Sequence, residues 1–284
     1  MHSVGIVLHP RRDSAAAVEA MLGWATGRGI EVLGIGAEIE RLNCAATAVP
    51  ADELGRRSDL VVSLGGDGTM LRAMRLADGQ RAPVLGVNLG KLGFLAEVDV
   101  PELPGALSAI DDHAFTLEPR LAVDAVLNGQ TLTAFNDVAV VRVPGDGSAV
   151  VAVRVAGQRF VSYAADAVVV ATPTGSTAYS FSAGGPITSP NVEALLVTPA
   201  APHSAYSRGV VLSVHDTLDL DILPGSGRLA VEVDGQIGGY ASPGDRIELL
   251  ARPGAARVVR LGMTTFYQRA RRKLRLTDSA EIAE

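Results

Sequence analysis

Along the first hundred residues, short apolar runs alternate with stretches whose apolar positions recur every three or four residues. Val4-Gly5-Ile6-Val7-Leu8, the segment 31–35, Leu60-Val61-Val62-Ser63-Leu64 and Pro83-Val84-Leu85-Gly86-Val87-Asn88 have the length and composition of buried strands. Between them, Val18, Met21, Leu22 and Ala25 share one helical face behind Asp13 and Ser14, either of which can cap it. Met70, Leu71, Met74 and Ala77 share a second helical face. Residues 40–58 read as loop and short helix, and Gly34-Ile35-Gly36 as a turn. Alternating strands and helices predict an α/β domain with a doubly wound, mostly parallel sheet.

After about Pro101 the period falls to two. Leu121, Val123, Ala125 and Leu127 alternate with other residues, and Asn128-Gly129 offers a two-residue hairpin turn. Strands are predicted over 138–143, 150–155, 160–163, 167–171, 210–214, 218–222, 229–233 and 247–250. Ala156-Gly157 and Gly225-Ser226-Gly227 punctuate them. This half is expected to be a β-rich domain. The stretch 265–276, with Arg269, Arg271, Arg272, Lys273 and Arg275, reads as a basic helix whose charges form a solvated face. The boundaries expected are 1–105 for the α/β domain and 106–263 for the β-rich domain, followed by the helical stretch 264–284.

Composition narrows the picture. A chain of 284 residues with 48% hydrophobic and 20% charged residues can bury a sizeable core. Net charge of −6 and few aromatic residues argue against a nucleic-acid binder. The single cysteine, Cys44, excludes a disulfide framework and a cysteine zinc site. No apolar run approaches the ~18 residues of a membrane span. The first residues enter a strand directly, without the pattern of a secretory leader, so a cytoplasmic protein is expected. The five histidines show no metal-ligand spacing.

Chemistry concentrates in a few stretches. Gly65-Gly66-Asp67-Gly68-Thr69 joins a predicted strand to a predicted helix. Glycines there permit close backbone approach, and the free N–H groups of a first helical turn favour an anion such as phosphate. Asp67 within that turn is suited to hold a hydroxyl, act as a base or meet a metal. Asn88 ends the next strand, at the edge where ligands of such sheets bind. The run Thr172-Pro173-Thr174-Gly175-Ser176-Thr177-Ala178-Tyr179-Ser180 is dense in hydroxyls that suit ribose and phosphate, and its tyrosine suits an adenine face. Asn136-Asp137, Asp166 and Asp234-Gly235-Gln236 place further polar groups at predicted strand ends. No Gly-x-x-x-x-Gly-Lys-Ser/Thr loop, Gly-x-Ser-x-Gly elbow or protein-kinase motif set occurs.

These motifs, in this order and together with Asn88-Leu89-Gly90-Lys91-Leu92-Gly93-Phe94-Leu95 and Ser182-Ala183-Gly184-Gly185-Pro186, resemble those of the NAD kinases over nearly the whole chain. The resemblance implies ATP-dependent phosphorylation of the adenosine ribose 2′-hydroxyl of NAD, giving NADP. It implies Asp67 as general base, and Gly65, Gly66, Gly68, Thr69 and Asn88 around the phosphates of ATP, with Mg²⁺ (or another divalent metal) carried by ATP rather than fixed by side chains. Asn136, Asp137, Thr174, Thr177, Ala178, Tyr179, Asp234 and Gln236 would bind NAD. Asp166 would hold its nicotinamide end, often from a neighbouring subunit of a homodimer or homotetramer. The resemblance also implies that the C-terminal helix returns to the first domain. Two positions depart from the family pattern: Ala167 stands where glycine is usual after the aspartate, and Ser207-Arg208-Gly209-Val210 replaces Ser-Arg-Pro-Leu. They leave open a kinase for another nucleoside hydroxyl. A non-catalytic dinucleotide binder is the alternative of a different class.

Overall fold

The structure, a computed structural model, describes residues 1–90 and 93–276. The apolar runs of the first third form strands β1 (Ser3–Leu8), β2 (Glu31–Ile35), β3 (Thr47–Val49), β4 (Leu60–Gly65), β5 (Val84–Asn88) and β6 (Val98–Asp99). Helices α1 (Ala15–Thr26), α2 (Gly36–Leu42), α3 (Ala51–Arg57), α4 (Asp67–Leu76) and α5 (Leu103–Asp111) lie between and after them. The β-rich stretch holds β7 (Thr116–Leu127), β8 (Gln130–Ala134), β9 (Asp137–Arg142), β10 (Ala149–Val155), β11 (Gln158–Ala165), β12 (Ala167–Ala171), the short helix α6 (Tyr179–Ser182), β13 (Ala194–Ala200), β14 (Val210–Ser213), β15 (Leu218–Ile222), β16 (Leu229–Val233) and β17 (Gln236–Ala241). The chain closes with β18 (Arg246–Arg260) and α7 (Phe266–Leu274). It divides into one unit of residues 1–118 and 256–284 and another of residues 119–255.

In the first unit the strand order is β3-β2-β1-β4-β5, all parallel, with β6 beside β5. Val4, Ile6, Leu8, Val62, Leu64, Leu85 and Val87 are fully buried there, and α1 adds Val18, Met21 and Ala25. Burial on both faces explains why these strands read as continuous apolar runs rather than alternations. Each such side chain contributes roughly 1.5–3 kcal/mol. The order reverses direction between β1 and β4, so the topological switch point lies at the carboxyl end of β4. That end carries Gly65.

Gly34-Ile35-Gly36 corrects the sequence reading: it is the end of β2 running into α2, not a turn. A side chain at Gly34 would collide with Ile39, so this glycine lets α2 pack on its own strand. The stretch 40–58 is likewise more regular than expected, holding β3 and α3.

In the second unit one antiparallel sheet has the order β14-β13-β12-β9-β16-β17. A second set pairs β11, β10, β15 and the first part of β18, and β7 pairs β8. Val123, Val140, Val151, Val168, Val197, Leu220 and Val231 fill the core between them. The Asn128-Gly129 hairpin forms as predicted, with φ of 51° and 79° and Leu127 facing Gln130. Strand β13 was not predicted, although it is wholly buried beside β12. Pro199 lies within it and lacks the N–H that a central strand normally donates. No helix among the described residues is long and apolar enough to cross a membrane.

Candidate active site

Strand β4 stops at Gly65 and α4 starts at Asp67, with Gly66 as an N-cap that no side chain closes. The three glycines of the turn have different reasons to be glycine. At Gly65 a Cβ would collide with the Thr69 side chain, which folds back over it. At Gly66 and Gly68 a Cβ would meet no atom within 4 Å, and neither residue has a positive φ. Among the described residues neither packing nor a positive φ accounts for them, and glycine there leaves the backbone open to close approach. The N–H groups of Thr69 and Met70 both turn to the Gly66 carbonyl, at 3.0 and 3.1 Å. This leaves those of Asp67 and Gly68 at the helix mouth, outside the ladder. Thr69 is buried and shapes the turn instead of offering an open hydroxyl.

The Asp67 carboxylate is tightly oriented. Oδ2 accepts the Phe94 N–H at 3.0 Å, Oδ1 accepts the Leu95 N–H at 3.1 Å, and the Lys273 ammonium of α7 meets Oδ2 at 3.1 Å. A Cβ on Gly93 would strike this carboxylate. The carbonyls of the same segment are gripped from the other side. Arg269, almost wholly buried, donates from Nε to the Phe94 carbonyl at 3.1 Å and from Nη1 to the Thr264 carbonyl at 2.7 Å. Arg260 donates to the Leu95 carbonyl at 2.8 Å. Burial, reinforced by the Arg260 cation, lowers the pKa of Arg269. Arg269 and Lys273 thus correct the reading of the C-terminal charge run as a solvated face. Asn88 donates Nδ2 to the Gly90 carbonyl and to Asp99, at 2.8 and 2.9 Å, while its buried Oδ1 has no partner among the described residues. Lys91 and Leu92 lie outside the described residues, as do positions 277–284 of the expected C-terminal helix.

A separate cluster forms in the second unit. Asp234, held at φ 48°, turns its carboxylate onto the backbone N–H groups of Phe135, Asn136 and Asp137, at 3.1, 2.7 and 3.4 Å. It therefore shapes the Asn136-Asp137 corner from behind. Gln236 is exposed at the start of β17. Thr172 ties the corner to the hydroxyl-rich run: its hydroxyl donates to the Phe135 carbonyl at 2.6 Å and its N–H to the Asn136 carbonyl at 2.8 Å. Gly175 packs so close to that carbonyl that a Cβ would overlap it. Thr174 is buried, and its hydroxyl oxygen has no hydrogen-bond partner among the described residues. Thr177 and Ala178 are half-buried beside it.

Asp137 is buried, and its pKa is pushed up to about 7 by burial and by the carboxylates of Asp234 and Glu232, against the Tyr179 N–H. Tyr179 packs against the cluster of Ala139, Val169, Ala171 and Leu196. Burial raises its phenol pKa, aided by Glu232, Asp137 and Asp166. Asp166 precedes β12 whereas Thr172 follows it, a separation of roughly 20 Å at about 3.4 Å per residue. The chain thus does not bring Asp166 to the Asp137 corner. Asp166 instead meets Arg142 at 2.6 Å and His203 at 3.9 Å. Ala167 is buried in β12 without a positive φ, so its methyl imposes no backbone strain. At Gly209 a Cβ would come within 3.1 Å of the Val197 carbonyl.

The comparisons with known proteins follow this division. The family model for the ATP-NAD kinase N-terminal domain matches residues 4–115, and that for the ATP-NAD kinase C-terminal domain matches residues 135–261. NAD kinase 1 of Streptomyces avermitilis is 39% identical, the match covering 99% of this chain and 89% of the relative. NAD kinase of Desulforamulus reducens is 37% identical, covering 97% and 98%. Among solved structures, yeast NADH kinase complexed with NADH is similar, with a TM-score of 0.88, 26% identity, and coverage of 100% of this chain and 90% of that one. The fold is shared with an NAD kinase from Archaeoglobus fulgidus in complex with ATP, at a TM-score of 0.76 and 23% identity, covering 96% and 98%.

Proposed function

The chain belongs to the NAD kinase family, and from that premise we propose how its residues divide the ATP-dependent phosphorylation of NAD. The open N–H groups of Asp67 and Gly68, and the empty space above Gly66 and Gly68, receive the phosphates of ATP. Asp67 is the general base. Its Oδ1 keeps a lone pair beyond the one given to Leu95, and that lone pair accepts the proton of the ribose 2′-hydroxyl. The hydroxyl oxygen bonds to the γ-phosphorus as the bond from that phosphorus to the β–γ bridging oxygen breaks. ADP leaves with the electron pair, and Asp67 passes its proton to solvent. Phosphoryl transfer asks the protein for positioning and charge stabilisation rather than covalent help, and this set supplies both.

Asn136, Asp137, Thr174 and Tyr179 bind the adenosine half of NAD. The buried, unpartnered Thr174 hydroxyl supports that placement. Asp166, far along β12, holds the nicotinamide end of an NAD bound by a second copy of the chain in a homodimer or homotetramer. A divalent ion, Mg²⁺ by preference, enters on the phosphates of ATP and neutralises part of their charge. The single, unpaired cysteine fits the reducing cytoplasm.

The observation that carries this reading is a carboxylate fixed by two backbone N–H groups beside two glycines at which a Cβ would meet no atom of the described residues within 4 Å. Incubation with ATP, Mg²⁺ and NAD, with NADP detected by an NADP-specific dehydrogenase, tests it. The wild type is expected to form NADP, and Asp67→Asn to lose at least a hundredfold in turnover with its fold intact. An Asp67→Asn enzyme that kept most of its activity would refute the base assignment. Parallel assays with NADH and adenosine define the acceptor.

A further inference from the structure

The sequence contains twenty-three arginines and only two lysines, Lys91 and Lys273. Every other basic position along α7 is an arginine, yet the residue set against Asp67 is Lys273. The helix is built to place it there. A capping box between Thr265 and Gln268 fixes where α7 begins. One turn on, Arg269 anchors it through the Phe94 and Thr264 carbonyls. Lys273 follows four residues later on the same face. Its ammonium stands 3.1 Å from Asp67 Oδ2 and 4.6 Å from the centre of the Phe94 ring.

Stability does not account for this arrangement. The Lys273 and Asp67 side chains are 35% and 27% exposed, and an ion pair open to water contributes little to folding. Asp67 is already oriented by the Phe94 and Leu95 N–H groups, so it does not need the lysine to fix its direction. An ammonium on a flexible stem is, however, a mobile point charge with three donors. It stands beside Asp67, the first residue of α4, whose opening turn presents backbone N–H groups to an anion. The chain has no P-loop lysine to serve the terminal phosphate.

We propose that Lys273 is the phosphate-binding lysine of this enzyme, resting on Asp67 while the donor is absent and passing to the terminal phosphoryl oxygens of ATP when it binds. Transfer to the triphosphate removes the cation from Oδ2 of Asp67, which leaves Oδ1 of the same carboxylate a stronger proton acceptor at the moment a base is needed, so donor binding arms the carboxylate. Lys273 gives up no proton in the reaction. It offsets negative charge on the phosphoryl group as that group moves from the bridging oxygen to the acceptor hydroxyl. The proposal rests on the assignment of Asp67 and the glycine turn made above.

Calorimetric titration with ATP–Mg²⁺, and separately with NAD, tests it on the full chain as wild type, Lys273→Ala, Lys273→Arg, Asp67→Asn and the double variant Asp67→Asn/Lys273→Ala. Lys273→Ala is expected to weaken ATP at least tenfold while NAD affinity stays within twofold and the melting temperature is unchanged. Lys273→Arg is expected to recover part of the loss. Asp67→Asn, which frees the lysine, is expected to tighten ATP, and to do so less when Lys273 is already alanine. Wild-type ATP affinity in Lys273→Ala overturns the proposal, as does equal weakening of ATP and NAD. Full additivity of the two substitutions overturns the exchange between carboxylate and phosphate. Retained turnover in Asp67→Asn would instead strike the base assignment, and the ATP titration of Lys273→Ala still decides the role of the lysine.

Discussion

Asp137 is a residue whose charge is set by the fold. Its ordinary pKa of 3.8 is raised to about 7 in the folded chain, chiefly by burial and by the Asp234 carboxylate. The native state therefore holds a proton that the unfolded chain has released between about pH 4 and pH 7. Stability falls across that window as pH rises. Asp137→Asn removes the penalty, so the variant should melt with wild-type midpoint near pH 4 and above the wild type at pH 8. Calorimetric scans at the two pH values check this; equal midpoints at pH 8 would contradict it. The same proton bears on binding. An ionised carboxylate accepts from ribose hydroxyls more strongly than the protonated acid does, so NAD affinity should weaken as pH falls below 7 in the wild type and stay flat in Asp137→Asn. Glycines give a second residue-level expectation. Gly93→Ala places a methyl against the Asp67 carboxylate, and turnover should fall about a hundredfold while NAD binding is kept. Gly175→Ala presses on the Asn136 carbonyl and should raise the KM for NAD instead.

At the scale of elements, α7 shows how a charge run can mislead. Arg269, Arg271, Arg272, Lys273 and Arg275 have the composition of a solvated helix, and periodicity alone does not say which face a neighbour covers. The structure buries Arg269 because two backbone carbonyls and the Thr264 hydroxyl receive its guanidinium. Truncating it leaves those carbonyls unsatisfied, a cost of about 2–4 kcal/mol. Arg269→Ala should thus lower the melting temperature by several degrees and speed amide exchange in 93–95 and in α7. Arg272→Ala, at an exposed position of the same helix, should change neither. The strands tell a related story. The runs 60–64, 167–171 and 218–222 were legible because apolar composition and turn punctuation agree there. Strand β13 was not, since Pro199 within Ala194–Ala200 speaks against a central strand. Its wholly buried pattern, set between β12 and β14, outweighs that local signal.

At the scale of the molecule, the sequence shows the change from helical to twofold periodicity, and with it two kinds of sheet. It does not show where the units divide, because β18 is a single strand whose last five residues belong to the first unit. The candidate site was legible as motifs, each spelled out by glycines and hydroxyls whose spacing has a chemical reason. The residues that hold those motifs in place were not legible. Lys273 lies 206 positions from Asp67, and Asp234 lies 98 from Asn136. Long-range partners of this kind carry no local pattern. A chain with net charge of −6 must bind two anionic nucleotides through local groups rather than through its overall field. The groups available differ between the units: helix-mouth N–H groups and Lys273 in the first, hydroxyls, amides and Asp137 in the second. Each substrate should therefore steady a different part of the chain. Hydrogen exchange followed by mass spectrometry should show ATP–Mg²⁺ slowing residues 65–69, 93–95 and 266–274 by tenfold or more, with 135–137 and 172–179 little changed. NAD should give the opposite map. Protection by ATP confined to 172–179 would reassign the donor to the second unit, and with it the role given to the glycine turn. Protection of both sets by either substrate alone would mean that binding at one set orders the other, so that the two substrates bind cooperatively, and the affinity of each would then rise in the presence of the other by the same factor.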